Sequence, residues 1–218
     1  MIEAERIFEA REALAETLAR DAADELARAI EAKGKATLAV SGGSTPKLFF
    51  EKLSNADIPW SRVSVTLVDE RQVPETSDRS NAKLVREHLL KNRAASAKFV
   101  PLVGNPEAER LPPFDVAILG MGNDGHTASF FPGADRLAEA IDADSDKRLI
   151  AITAPGAGEP RLTFTLPVIE KAGRLALHIE GADKKTVLDK ALGDGPAEDM
   201  PVRAVLRSAT PVTLYWCP

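Results

Sequence analysis

Short runs that are apolar throughout, each closed by a polar loop and separated from the next by a helical pattern, recur along this chain of 218 residues. The run 36–40 ends in Ser41-Gly42-Gly43-Ser44-Thr45-Pro46. The run 63–68 ends in Asp69-Glu70-Arg71, and the run 114–119 ends in Gly120-Met121-Gly122-Asn123-Asp124-Gly125-His126. A strand covered on both faces reads as a continuous apolar run, whereas a half-exposed one alternates. Such strands alternating with helices imply an α/β fold: a mainly parallel, Rossmann-like sheet with helices on both faces. Further strands fit 148–153, 175–180 and 212–216.

The helices follow from spacing and caps. Leu14, Leu18, Ala22, Leu26 and Ile30 form one apolar stripe within a helix expected over 4–33, which Gly34 stops. Pro46 suits the first turn of a helix, and Ser80 is an N-cap for a helix through 90. Another helix is expected over 182–192. Segments 70–80 and 154–161 read as loops after strands, where open α/β sheets bind ligands. The length fits one α/β domain over 1–218.

Charge and cysteine content exclude several classes. Lys and Arg number 28 against 33 Asp and Glu, and the net charge of -5 argues against a nucleic-acid or anionic-membrane surface. No apolar stretch is long enough to span a membrane, and the N-terminus lacks a basic start with an apolar core, so the expected address is cytoplasmic. Cys217 is the single cysteine; it forms no intramolecular disulfide and reads as a sulfur packed near the last strand.

Two loops carry candidate chemistry. In the first, Gly42 and Gly43 let backbone approach a ligand while Ser44 and Thr45 offer hydroxyls, which makes an anion site or a plain tight turn. It lacks the Gly-Lys-Ser/Thr ending of a nucleotide-binding loop. In the second, Gly120, Gly122 and Gly125 match the G-x-G-x-x-G spacing of dinucleotide folds. Asp124 would repel a pyrophosphate there, and Pro132-Gly133 cuts short the crossover helix such folds need. The same loop makes better sense as a strand-end pair of carboxylate and imidazole. An imidazole titrates near pH 6.5 and suits a general base, and Asp124 can orient His126. Of the other two histidines, His88 reads as solvated or partly packed on a helix, and His178 as buried in a strand with one hydrogen-bond partner. No His or Cys pair has the spacing of a zinc site, and no G-x-S-x-G elbow is present. Arg71, Arg161 and Lys184 each read alone as a surface cation, yet they recur at the same edge of the expected sheet.

These segments, with Gly181-Ala182-Asp183-Lys184, resemble in order and spacing the 6-phosphogluconolactonase branch of the glucosamine-6-phosphate isomerase/6-phosphogluconolactonase family. The resemblance covers nearly the whole chain. It implies that Gly42, Gly43, Ser44, Thr45, Arg71, Arg161 and Lys184 hold the 6-phosphate, and that His126 is the general base supported by Asp124. Asp69 falls where the isomerase branch carries its proton-abstracting carboxylate. The isomerases follow their histidine with a partnering Glu in a pattern ending Asn-Glu-Pro, whereas this chain reads Ala128-Ser129-Phe130-Phe131-Pro132, with a ring that cannot relay a proton. The implied ligand is a phosphorylated sugar lactone, with no cofactor, metal, nucleic acid or membrane, and the chain is expected to be a monomer or small homo-oligomer. The rivals are a sugar-phosphate isomerase or deaminase, a sugar-phosphate sensor, and a nucleotide-dependent oxidoreductase.

Overall fold

The computed structural model describes residues 1–218 and begins with a strand. Strand β1 (Ile2–Ile7) precedes helix α1 (Arg11–Lys33), so the expected helix over 4–33 is corrected at its start. Residues 2–7 pair in parallel with the last strand, β10 (Val212–Cys217). Phe8 N–H continues the ladder to Trp216 O at 2.9 Å, and its ring stacks on Tyr215 at 6.4 Å. Helix propensity is a weak prior, and satisfying the edge of β10 overrides it. The stripe on α1 is buried as expected, and Gly34 N–H closes the helix on Ile30 O at 2.8 Å.

Strand β2 (Ala36–Val40) is buried at every position, and helix α2 (Lys47–Leu53) starts one residue after Pro46. There follow β3 (Val63–Leu67), β4 (Asp69–Arg71), α3 (Asn81–His88), β5 (Lys98–Val100) and β6 (Val116–Leu119). The remaining elements are α4 (Leu137–Ala140), β7 (Leu149–Ile152), β8 (Arg161–Phe164), α5 (Leu166–Ile169), β9 (Arg174–Glu180), α6 (Ala182–Leu192) and α7 (Val202–Leu206). Seven strands form one sheet in the order β1-β10-β9-β6-β2-β3-β5, and every neighbouring pair is parallel. Fifty-nine buried apolar residues form one continuous core cluster about it. No helix is long and apolar enough to cross a membrane. Cys217 is buried in β10, and burial pushes its thiol pKa up.

A second, antiparallel sheet in the order β4-β8-β7 stands apart from the first. It corrects three expectations. Asp69-Glu70-Arg71 is a strand, Arg161 opens a strand instead of lying in a loop, and the run near 148–153 pairs here and not in the parallel sheet. Three- and four-residue strands carry too little pattern to be read locally, and β4 finds its partner β8 some ninety residues away, with Arg71 opposite Arg161.

Glu70 ties this ribbon to α3. Its side chain is buried; Oε1 accepts Arg71 N–H at 2.7 Å and Asn81 N–H at 2.8 Å, while Oε2 accepts Ala82 N–H at 2.7 Å and Ser80 Oγ at 3.1 Å. Ser80 caps the helix as expected, accepting Lys83 N–H at 3.2 Å. Replacing Glu70 by Ala strands several buried donors, so urea denaturation is expected to show the unfolding free energy lowered by about 2–3 kcal/mol.

Candidate active site

The carboxyl ends of β9, β6, β2 and β3 open into one cleft of about 240 Å³. Its wall gathers the loop from Ser41 to Thr45 with Asp69, Arg71, His126, Arg161 and Lys184. Asp124 stands behind His126. The residues expected to form the site therefore lie in or, for Asp124, directly behind one cleft, although the span from Gly42 to Lys184 covers most of the chain.

The glycine loop is held by its first residue: Ser41 N–H donates to Ile118 O at 3.0 Å, and Ser41 Oγ accepts Gly120 N–H at 3.1 Å. The N–H groups of Gly42, Gly43, Ser44 and Thr45 make no hydrogen bond within the protein, leaving a row of donors at the cleft wall. A side-chain carbon on Gly42 would lie 1.8 Å from Asn81 Oδ1, so only glycine admits this approach. Asn81 is itself buried, donates from Nδ2 to Asp69 O at 3.0 Å, and has an unpaired Oδ1. Sequence reasoning missed it: its only signal was its place after the cap Ser80.

The second loop builds a dyad. His126 Nδ1 lies 2.6 Å from Asp124 Oδ1, which also accepts the His126 N–H at 3.1 Å. Burial pushes the Asp124 carboxyl up, but the hydrogen bond and charge of His126 outweigh this and hold it below the usual carboxylate range. An ionised partner at Nδ1 keeps the proton there and leaves the lone pair on Nε2, the form in which an imidazole accepts a proton. The loop backbone is folded tightly about the ring. Gly122 N–H donates to His126 O at 2.8 Å, and a side-chain carbon on Gly122 would fall 2.1 Å from His126 Nδ1. Ala128, two residues on, sits at φ 48°, a left-handed conformation costly for alanine and typical of functional loops. No long crossover helix follows, consistent with setting the dinucleotide fingerprint aside.

Phe131 plays a part the sequence did not disclose. Its ring stacks on the His126 imidazole with centroids 4.1 Å apart at 28°, and the Arg161 guanidinium carbon lies 5.3 Å from its centroid. The ring that replaces a carboxylate in this segment thus packs against the imidazole.

The cations divide between two walls. Arg71 and Arg161 are direct cross-strand partners on β4 and β8, an arrangement in which like charges repel. Arg161 is 6% exposed, and burial pushes its pKa down while the nearest carboxylate, Asp69, opposes this from 3.9 Å. No carboxylate pairs with Arg71. Across the cleft, Lys184 on α6 is half-buried and forms no salt bridge; burial pushes its pKa down and Asp124 acts against that from a distance. Asp69 is buried, with Oδ2 accepting Ser129 Oγ at 2.6 Å. His178 is packed as expected, 3.1 Å from Glu180 Oε1, and both also line the cleft. His88 contacts Glu51 at 3.2 Å, outside the cleft lining.

The family described as glucosamine-6-phosphate isomerases/6-phosphogluconolactonase matches residues 9–216. The chain belongs to this family. Among relatives, it is 53% identical to the 6-phosphogluconolactonase of Rhizobium meliloti (strain 1021), with 97% of each chain covered. It is 52% identical to that of Mesorhizobium japonicum, over 97% of this chain and 94% of the relative. The fold also matches the crystal structure of a 6-phosphogluconolactonase from Shewanella baltica OS155, with a TM-score of 0.93, 40% identity and full coverage of both chains. Within this family member the free N–H row, the unpaired cations and the dyad share one cleft, which suits an anionic substrate with a group awaiting proton transfer.

Gly122→Ala places its methyl on the dyad, with Asp124 Oδ1 2.5 Å away as well. Any lactone hydrolysis that depends on this dyad is expected to fall about 10²-fold in a turnover assay, while circular dichroism stays as in the parent.

Proposed function

We propose that this chain hydrolyses 6-phospho-D-glucono-1,5-lactone to 6-phospho-D-gluconate, the lactonase step of the oxidative pentose phosphate pathway, with His126 as general base. The observation that carries the reading is the 2.6 Å Asp124–His126 bond beside a cleft whose cations Arg71 and Lys184 lack carboxylate partners. The names of the relatives above support the substrate.

The N–H row of Gly42, Gly43, Ser44 and Thr45, with Arg71, Arg161 and Lys184, binds the 6-phosphate. That remote binding energy positions the lactone carbonyl beside the imidazole. His126 Nε2 takes a proton from water as the oxygen attacks C1. Asp124 steadies the imidazolium that forms, and Phe131 keeps the ring in place. The tetrahedral intermediate collapses by breaking the bond from C1 to the ring oxygen, which receives the proton from His126. No covalent intermediate forms. Asp69, held by Ser129 Oγ and facing Arg161, orders the cation wall instead of abstracting a proton. An isomerase reading needs a carboxylate partner after the histidine, and Phe131 fills that segment with a ring stacked on the imidazole.

Freshly generated 6-phosphogluconolactone should be hydrolysed well above its spontaneous rate, and unphosphorylated gluconolactone should not. Equal acceleration of both, or ammonia release from glucosamine 6-phosphate in place of lactone hydrolysis, would overturn the reading. His126→Ala is expected to lower kcat by about 10²–10⁴ with binding of 6-phosphogluconate little changed; unaltered turnover removes His126 from the mechanism. The pH dependence of product binding follows from Lys184. Its ammonium is present below its pKa and lost above it, and that pKa is depressed by burial. Affinity for 6-phosphogluconate, measured by calorimetry, should therefore decline before the usual lysine range near 10.4 is reached. In Lys184→Met affinity should be lower throughout, without that decline.

A further inference from the structure

Beyond the end of the β4–β8 ribbon two loops leave the cleft side by side, 72–80 after Arg71 and 153–160 before Arg161. Gln72 N–H donates to Pro160 O at 2.8 Å, and Gln72 Nε2 to Arg161 O at 3.0 Å. Past that point no backbone hydrogen bond joins the loops. They are rejoined by one ion pair: Arg79 Nε lies 2.6 Å from Glu159 Oε1 and Arg79 Nη2 lies 2.8 Å from Glu159 Oε2. This is the two-pronged geometry that gives a guanidinium–carboxylate pair its directionality.

The backbones of these same two residues hold the cleft arginines. Arg71 Nη1 donates to Arg79 O, while Arg71 Nε is buried without a partner. Arg161 Nε donates to Glu159 O at 3.2 Å, and Nη2 donates to Ala157 O at 2.6 Å. Each arginine that faces its like-charged neighbour across the ribbon is thus anchored on one half of the Arg79–Glu159 pair.

We propose that Arg79 and Glu159 are a positioning pair for substrate binding: their ion pair locks the two loops so that Arg71 and Arg161 present their guanidinium groups together to the substrate phosphate. The inference deepens the function proposed above and rests on Arg71 and Arg161 binding that phosphate. The pair is solvent-facing, with side chains 56% and 26% exposed, and such pairs contribute little to global stability. Its effect therefore falls on the ligand. A bound phosphate relieves the repulsion between Arg71 and Arg161; without phosphate, the pair opposes their separation.

Charge alone and the positioning role predict opposite signs. Glu159→Gln removes a negative charge near a phosphate site, which by Coulomb attraction would tighten binding. Positioning predicts the reverse: KM for 6-phosphogluconolactone and the inhibition constant of inorganic phosphate both rise about three- to fivefold, the scale of an exposed ion pair. Under the same reading kcat stays within twofold and the melting temperature is nearly unchanged. Arg79→Gln combined with Glu159→Gln, which conserves net charge, should show the same rise. The reversed pair, Arg79→Glu with Glu159→Arg, should recover most of the parent KM. A KM that falls or holds in Glu159→Gln, while Arg71→Ala raises it, overturns the positioning role and leaves the proposed function standing. An unchanged KM in both Arg71→Ala and Arg161→Ala overturns the phosphate site and the positioning role with it.

Discussion

All seven strands of the large sheet run the same way, and this constraint decides where chemistry can sit. Parallel strands send every strand-end loop to one edge and every return connection to the other. Ser41 to Thr45 after β2, Asp69 to Arg71 after β3, Gly120 to His126 after β6 and Gly181 to Lys184 after β9 therefore converge. Their separation in sequence is irrelevant once the helices between them have covered the sheet faces.

On that edge the protein accumulates features that a purely stabilising design would avoid. Two arginines stand opposite each other on a short ribbon, Ala128 takes a left-handed backbone, four loop N–H groups go unanswered, and Asn81 Oδ1 is buried without a partner. The facing arginines, the Ala128 backbone and the orphaned Asn81 oxygen each cost free energy in the unliganded protein, and the core of 59 apolar residues supports them. The cations and the loop donors share a sign: an anion answers the arginines, Lys184 and the loop N–H groups together. Beside them, Asp124 and Phe131 hold the imidazole from two directions, one by a hydrogen bond and one by stacking.

Much of this was legible in the residues. The apolar runs of β2, β3, β6, β9 and β10 and the helices α3 and α6 are read from local pattern, because burial on both faces or a period of 3.6 leaves its mark within one segment. The polar residues that line the cleft were legible for the same reason, as groups at the ends of buried strands. Strands β1, β4, β5 and β8 were not. Residues 2–7 are good helix formers drawn into a strand by the edge of β10, and β4 and β8 are too short to carry a period. Asn81, Phe131 and the Arg79–Glu159 pair likewise have no local signature, since each matters through a residue distant in the chain or around a turn.

The sequence by itself determined the layered parallel architecture, the two glycine loops and the pairing of Asp124 with His126, because each depends on neighbours a few residues apart. Only the tertiary structure decided that Arg71 faces Arg161, that Phe131 stacks on the imidazole, that Asn81 fills the space Gly42 leaves open, and that Asp69 is engaged by Ser129. Those contacts are set by sheet register and loop closure, and the interactions that choose a register are spread over the whole buried surface.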